Sequence, residues 1–130
     1  MKRFILFIFF LAPFHIFSQN WTQVGGDIDG VNSSDDSGKA VAINDNGTII
    51  VVGAPEADGA LPHGCLRVFE NINGIWIQLG QNLNPLANNH DFGNAVSISN
   101  DGYTIAVGAT SANNNTGYTQ IYRFDGISWY

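Results

Sequence analysis

Four aspartates in one short stretch are the residues best suited to binding a metal ion. Asp27, Asp29, Asp35 and Asp36 fall within ten residues, in the turn-rich segment DIDGVNSSDD. Calcium takes about six to eight oxygen ligands, and an ion held there would offset the mutual repulsion of the carboxylates. This loop is therefore the candidate calcium site, and the alternative is an acidic loop that is simply solvated.

Residues suited to catalysis are sparse, and none stands in a pattern that would activate it. His63 and His90 lie in loops rich in Gly and Asn, and no serine or cysteine has a nucleophile setting such as G-x-S-x-G. Asp35 and Asp36 are sequence neighbours, whereas glycoside hydrolysis needs two carboxylates at a set separation across a cleft. Cys65, the only cysteine, has strand-like flanks that indicate a packed thiol. The sequence predicts no catalytic residue, no cofactor and no enzymatic activity.

An internal repeat organises the chain around these loops. Residues 92–110, FGNAVSISNDGYTIAVGAT, restate residues 37–55, SGKAVAINDNGTIIVVGAP, at an offset of 55 positions. Self-similarity at such a period is the mark of a repeat architecture. A calcium site used by the repeat would be expected in both copies, but the second copy keeps one acid of four, so no metal ligand is assigned. The matching positions in the second copy are Asn82, Asn84, His90 and Asp91.

Each copy has the pattern of four short strands joined in an up-and-down meander, without helical periodicity. Such a sheet, apolar on both faces, needs a neighbour against each face. The sequence therefore predicts an all-β fold, a partial β-propeller with two four-stranded antiparallel blades (residues 39–79 and 94–130) and a leading outer strand (residues 21–25). The predicted strands span residues 39–43, 48–52, 65–70, 75–79, 94–99, 103–107, 118–124 and 127–130.

Small residues and tryptophans recur at fixed places in this pattern. Small residues at a strand end allow adjacent backbones to approach closely. Tryptophans in outer strands would cover the gap between neighbouring sheets. The small residues are Gly53, Ala54, Gly108 and Ala109, and the tryptophans are Trp21, Trp76 and Trp129.

The N-terminus has the order of a secretory signal peptide over residues 1–18. Lys2 and Arg3 precede an apolar run that ends at the small residue Ser18, and Pro13 interrupts a stretch shorter than the roughly 20 residues of a membrane anchor. We expect a secreted or cell-surface protein. Cleavage removes two of the five basic residues and none of the eleven acidic ones, which leaves a net charge of −8. Nucleic acid is therefore not an expected partner.

The motifs resemble the FG-GAP repeat of integrin-α-type β-propellers. The resemblance is carried by Phe92-Gly93 followed by Gly108-Ala109-Thr110, and by Ser37-Gly38 followed by Gly53-Ala54-Pro55. The connecting phrases, such as WTQVG and NINGIW, are similar to those of repeat proteins exported by Bacteroidetes-type bacteria. The likeness implies a propeller fold. Repeats of this kind often carry a calcium loop, but the turns NDNG and NDG are too short and too poor in carboxylates for it.

The leading functional hypothesis is an exported, non-enzymatic interaction or adhesion module that acts through its loops, since loops on a rigid scaffold usually carry binding. An extracellular protein or glycan is the expected partner, and self-association is a further expectation, because uncovered blade faces and strand edges favour it. The alternatives are the N-terminal part of an extracellular hydrolase or lyase with its active site elsewhere, and a fragment without function. The loops are residues 27–37, 56–63, 81–91 and 111–116.

Overall fold

The fold consists of two antiparallel sheets that follow one another along the chain. A computed structural model describes residues 20–57, 64–85 and 91–130, and the predicted signal peptide lies outside them. Within these residues, no helix is long and apolar enough to cross a membrane. The elements are β1 (Ala40–Ile43), β2 (Ile49–Ala54), β3 (Cys65–Ile72), β4 (Ile75–Gln78), β5 (Phe92–Ile98), β6 (Thr104–Ala109), α1 (Ala112–Asn115) and β7 (Tyr118–Arg123).

Each sheet is a meander in which strands adjacent in sequence pair with each other. The first sheet has the order β1-β2-β3-β4 and the second the order β5-β6-β7, and the two sheets do not close into one. The central strand β2 carries the β-branched run Ile-Ile-Val-Val, which suits a strand with neighbours on both edges and cover on both faces. The predicted all-β class with antiparallel sheets is confirmed.

The core lies between the two sheets, where β1 and β2 face β5. Alternate residues of β2 and β3 point toward the second sheet and are almost fully buried, because side chains in a strand alternate between its faces. Burying such a side chain contributes about 1.5–3 kcal/mol. The first sheet contributes Ile49, Val51, Leu66 and Val68 to this core, and the second contributes Val96, Ile98, Ile105 and Val107.

The predicted close approach at small residues is confirmed at Gly53. A Cβ atom added to Gly53 would lie 2.1 Å from the carbonyl oxygen of Gly93, so the backbones of β2 and β5 touch directly. At the matching Gly108, an added Cβ would meet only the Cβ of Ala95, at 3.5 Å and on the neighbouring strand of the same sheet. The second sheet therefore repeats the residue types of the first without the contact that they permit.

Two predicted strands are absent from the described chain. The segment over residues 21–25 has no backbone partner and is not a strand, because a strand forms only where another backbone completes its hydrogen bonds. The segment over residues 127–130 returns along β7 and forms a single bridge between Phe124 and Trp129. The prediction of a leading strand was wrong, and the second sheet has three strands where four were predicted.

The tryptophans show the repeat at the level of single hydrogen bonds. The indole N–H of Trp76 donates to the carbonyl oxygen of Val24 at 2.9 Å, and that of Trp129 donates to the carbonyl oxygen of Leu79, also at 2.9 Å. Trp129 is 4% exposed and belongs to the core between the sheets, as predicted for a tryptophan that covers a gap. Trp21, at 95% exposure, covers nothing in the described chain, so its predicted role was wrong.

Candidate functional site

The connections between strands divide between two edges of the molecule. Successive strands run in opposite directions, so alternate connections fall at the same end of the sheets. We call the end with the four predicted loops the loop edge, formed by residues 25–39, 55–64, 79–91 and 110–117 as far as they are described. We call the other end the turn edge, formed by residues 44–48, 73–74, 99–103 and 125–128.

Asp91 ties two loops of the loop edge together. It accepts a hydrogen bond from the hydroxyl of Ser111 and a longer one, at 3.4 Å, from the hydroxyl of Thr110. The amide of Asn94 also donates to the Thr110 hydroxyl at 3.3 Å. These side chains hold the β4–β5 and β6–β7 connections at a fixed separation, although the two segments lie about 20 residues apart in the sequence.

Arg67 anchors the acidic loop to the first sheet. Its guanidinium donates to the backbone carbonyl of Asp29 at 2.6 Å and to the hydroxyl of Ser37 at 3.2 Å. The same group lies 5.3 Å from the centre of the Phe69 ring, a distance typical of a cation–π contact. The loop is therefore held by a strand residue that sequence reasoning did not single out, since the contact spans more than 30 residues.

The four aspartates of this loop bind separate partners. Asp27 accepts a hydrogen bond from the Gln23 amide at 2.7 Å, and the nearly buried Asp35 accepts one from the backbone N–H of Asn32 at 2.9 Å. The third, Asp36, forms an exposed ion pair with the Lys39 ammonium at 3.2 Å. The fourth, Asp29, contributes its backbone carbonyl oxygen, which accepts the hydrogen bond from Arg67. In the described part of the chain, no three acidic, His or Cys side chains are grouped to hold a metal ion.

Cys65 lies in β3, the position predicted for a packed strand thiol. Burial raises the pKa of the thiol, the charge of Asp35 adds to this rise, and the charge of Arg67 opposes it. Because the thiolate is the nucleophile, a raised pKa keeps the group in its unreactive protonated form. The other candidates for chemistry, His63 and His90, lie outside the described residues.

The β6–β7 connection contains α1, a single short turn whose backbone is not that of a regular α-helix. Asn113, Asn114 and Asn115 have φ values of 51°, 58° and 66°, so three successive residues are left-handed. Asparagine adopts this conformation more readily than other side chains, which is the physical reason for the run of three. The buried Ala112 fixes the start of the turn in the core, so the three amides stand exposed at the loop edge. The sequence predicted a loop here, and the Asn triplet was the signal for its shape.

A scan against models of protein families finds no match. A search among curated proteins finds no relative. The function is therefore inferred from the repeat and the geometry alone.

Proposed function

We propose that this chain forms part of an exported β-propeller of the FG-GAP type and serves as a non-enzymatic interaction or adhesion module. The fold supports the proposal through two consecutive meanders stacked face to face, in which the first three strands of each sheet follow the same order. The tryptophan hydrogen bonds recur with donors 53 residues apart and acceptors 55 residues apart, as expected for copies of one unit. Each sheet then counts as one blade.

The observation that carries the functional part is the convergence of the connecting loops on one edge. Rigid strands carry these loops, and side-chain contacts from Arg67 and Asp91 fix three of them in place. Loops positioned in this way on a rigid scaffold are the usual place for recognition. The loop edge is the surface that we assign to the partner.

The chemistry of the loop edge favours a polar partner. Most of its exposed side chains are amides, hydroxyls and carboxylates, which exchange hydrogen bonds with sugar hydroxyls or with a protein backbone. The exported chain, which lacks residues 1–18, has a net charge of −8 that repels phosphate backbones. Examples of exposed polar residues on this edge are Asp29, Ser33, Glu56, Asn84, Asn114 and Thr116.

Two matched double variants test the assignment. Glu56→Ala with Asn84→Ala removes one carboxylate and one amide from the loop edge, and Asp45→Ala with Asn100→Ala removes the same groups from the turn edge. All four side chains are exposed, and none makes a side-chain hydrogen bond to another described residue. The exported chain and both variants are measured by biolayer interferometry against immobilised glycans of defined structure and against purified extracellular matrix proteins.

We expect the unmodified chain to bind at least one of these probes, the loop-edge variant to lose affinity by about tenfold or more, and the turn-edge variant to bind like the parent. A loss of about 1.4 kcal/mol corresponds to that factor. Failure of the chain to bind any probe, or equal losses in both variants, contradicts the assignment of the loop edge.

A further inference from the structure

The contact between the two sheets has a projecting part and a receiving part. The projecting part is Phe92 and Gly93 at the start of β5. Phe92 is fully buried, and the Cα of Gly93 lies so close to the first sheet that an added Cβ would be 3.1 Å from the carbonyl oxygen of Cys65. The receiving part is the backbone of Gly53, Ala54 and Cys65, where β2 and β3 pair. We call these two parts the knob and the socket.

A second socket lies on the open face of the second sheet. Gly108 and Ala109 pair with Thr119 and Tyr118 in the same register as Gly53 and Ala54 pair with Leu66 and Cys65. An open groove of about 440 Å³ lies over these residues. Within the described chain, an added Cβ at Gly108 meets only Ala95, so no second backbone occupies this socket.

A second knob lies at the opposite end of the stack. Gly38 has a φ of +93°, the same value as Gly93, and a Cβ added to it would meet nothing within 4 Å. The strand that follows presents Val41 and Ile43 on the outer face of the first sheet, at 58% and 53% exposure. Their counterparts Val96 and Ile98 pack against the core. Among the residues that the structure describes, the Gly38 knob and the Gly108 socket are therefore both vacant, in addition to the occupied pair.

We propose that a second copy of this chain binds head to tail, with its Gly38 knob seated in the Gly108 socket. This inference goes beyond the proposed function, because it concerns the two outer faces of the stack, which reach the loop edge only at the knob and the socket. The established contact between the sheets supplies the geometry that the new contact repeats. The knob and socket lie on different surfaces, so the contact is heterologous, and further copies extend it into a ring or an open filament.

The turn edge supplies a second point of contact between the two copies, which again repeats a contact made inside the chain. Inside the chain, the backbone N–H of Asp45 donates to the carbonyl oxygen of Asn100 at 3.2 Å. Asn100 is the repeat counterpart of Asp45, so in the seated pair the N–H of Asn100 faces the carbonyl oxygen of Asp45 in the second copy. The contact between copies thus reaches from the socket at the loop edge to the turns at the opposite edge.

The residues of the new contact make it weaker than the contact inside the chain. The second knob has Ser37 where the first has Phe92, and the open face carries Thr119 where the covered face carries Leu66. Less apolar surface is removed from water when such residues are covered. We therefore expect association that is reversible and depends on concentration.

The N-terminal segment of the seated copy must turn aside. Trp21 and Thr22 match Trp76 and Ile77 of the repeat, and those places in the second sheet are already held by Trp129 and Tyr130. Trp21 and Thr22 are exposed and make no backbone ladder, so moving them breaks no strand pairing.

The test measures mass by sedimentation velocity over a range of concentrations for the exported chain and three variants. Gly108→Val fills the socket, Val41→Asp places a charge beside the knob, and Ile127→Asp changes a side chain that is 85% exposed and outside both faces. We expect the parent and Ile127→Asp to associate as concentration rises, and the first two variants to remain monomeric. Circular dichroism checks that every variant is folded, and Thr119→Arg replaces Gly108→Val if that variant is unfolded.

Mixing the two defective variants gives the decisive result. Gly108→Val keeps an intact knob and Val41→Asp keeps an intact socket, so a head-to-tail contact restores a one-to-one dimer that grows no further. A two-fold symmetric contact would give no such rescue. A parent chain that stays monomeric at every concentration, association that persists in Gly108→Val, or a mixture that remains monomeric overturns the proposal. The loop-edge variant Glu56→Ala with Asn84→Ala leaves association unchanged, so failure here is distinct from failure of the proposed function.

Discussion

The covered face of the first sheet and the matching open face of the second sheet have the same strand register. The first is covered by the other sheet, whereas the second is exposed to solvent. On the covered face, large aliphatic side chains are excluded from water by the second sheet. On the open face, three of the four counterparts are smaller or polar, and the one that is large, Ile121, is 63% exposed. In register order, the covered residues Ile49, Val51, Leu66 and Val68 match the open residues Thr104, Ala106, Thr119 and Ile121.

The difference shows that the repeat preserves the pairing of the strands more strictly than the side chains on the faces of the sheets. Turn residues and strand-end glycines recur because each copy must make the same meander. The side chains on a face depend on what covers that face, since only a covered apolar residue gains from leaving water. The open face retains Gly108, Ala95 and Ile121, which are the residues that the proposed contact with a second copy would use.

The largest expected difference in the free energy of unfolding is between Leu66→Ala on the covered face and Thr119→Ala on the open face. Leu66 is fully buried, so Leu66→Ala leaves a cavity and lowers the free energy of unfolding by about 3 kcal/mol. Thr119 holds the same register position on the open face and is exposed, so Thr119→Ala changes that energy by less than about 0.5 kcal/mol. Urea denaturation at low protein concentration measures both. Equal losses for the pair would mean that the second face is covered in the isolated chain.

Adding one methyl group at each socket sharpens the same comparison. In Gly53→Ala the new Cβ lies 2.1 Å from the Gly93 carbonyl oxygen, so the sheets must separate, at a cost of about 2 kcal/mol. In Gly108→Ala the new Cβ makes ordinary contact with Ala95, and the loss of glycine entropy stabilises the strand by about 0.5 kcal/mol. The difference in thermal unfolding midpoint checks the signs. A stabilising Gly53→Ala would show that the sheets are not in backbone contact.

The sequence predicted the ladder well because the relevant signals are local. Alternating apolar residues and Asn-Gly or Asp-Gly turns located every strand of both sheets to within about two residues at most ends. The prediction ended β2 at residue 52, whereas pairing with Leu66 and Cys65 carries it through Gly53 and Ala54. The strand ends differ because pairing with a neighbour, rather than intrinsic preference, determines where a strand stops.

The candidate site was predictable as a set of loops but not as an arrangement. The loops were recognised by their turn-forming composition. The links that hold them, from Asp91 to Ser111 and from Arg67 to Asp29, join residues about 20 and 38 positions apart and follow only from the packed fold. The leading strand over residues 21–25 failed for the same reason, since local pattern cannot show whether a backbone partner is present.

The turns at positions 46 and 101 place an amide and a carboxylate at matched sites of the two repeats. Asn46 accepts hydrogen bonds from the N–H and hydroxyl of Thr48. Asp101 accepts hydrogen bonds from the Ser99 hydroxyl and the Tyr103 N–H, and these lower the pKa of its carboxyl below the ordinary value, the Ser99 bond contributing most. At this matched position, only the second turn therefore carries a side chain that titrates.

The smallest predicted effect is the response of the second turn to acid, and its direction follows from the lowered pKa of Asp101. A carboxyl with a depressed pKa in the folded chain stabilises its turn above its unfolded pKa, and that stabilisation is lost as pH falls through the folded pKa. Acidification below the ordinary aspartate pKa should therefore shift the amide resonance of Tyr103, as measured by two-dimensional NMR before global acid unfolding. The amide resonance of Thr48 should shift less, because its hydrogen-bond acceptors are the amide oxygens of Asn44 and Asn46. Asp101→Asn makes the second turn like the first and should abolish the shift. A shift at Tyr103 that persists in Asp101→Asn would show that acid acts through another part of the fold and not through the Asp101 side chain.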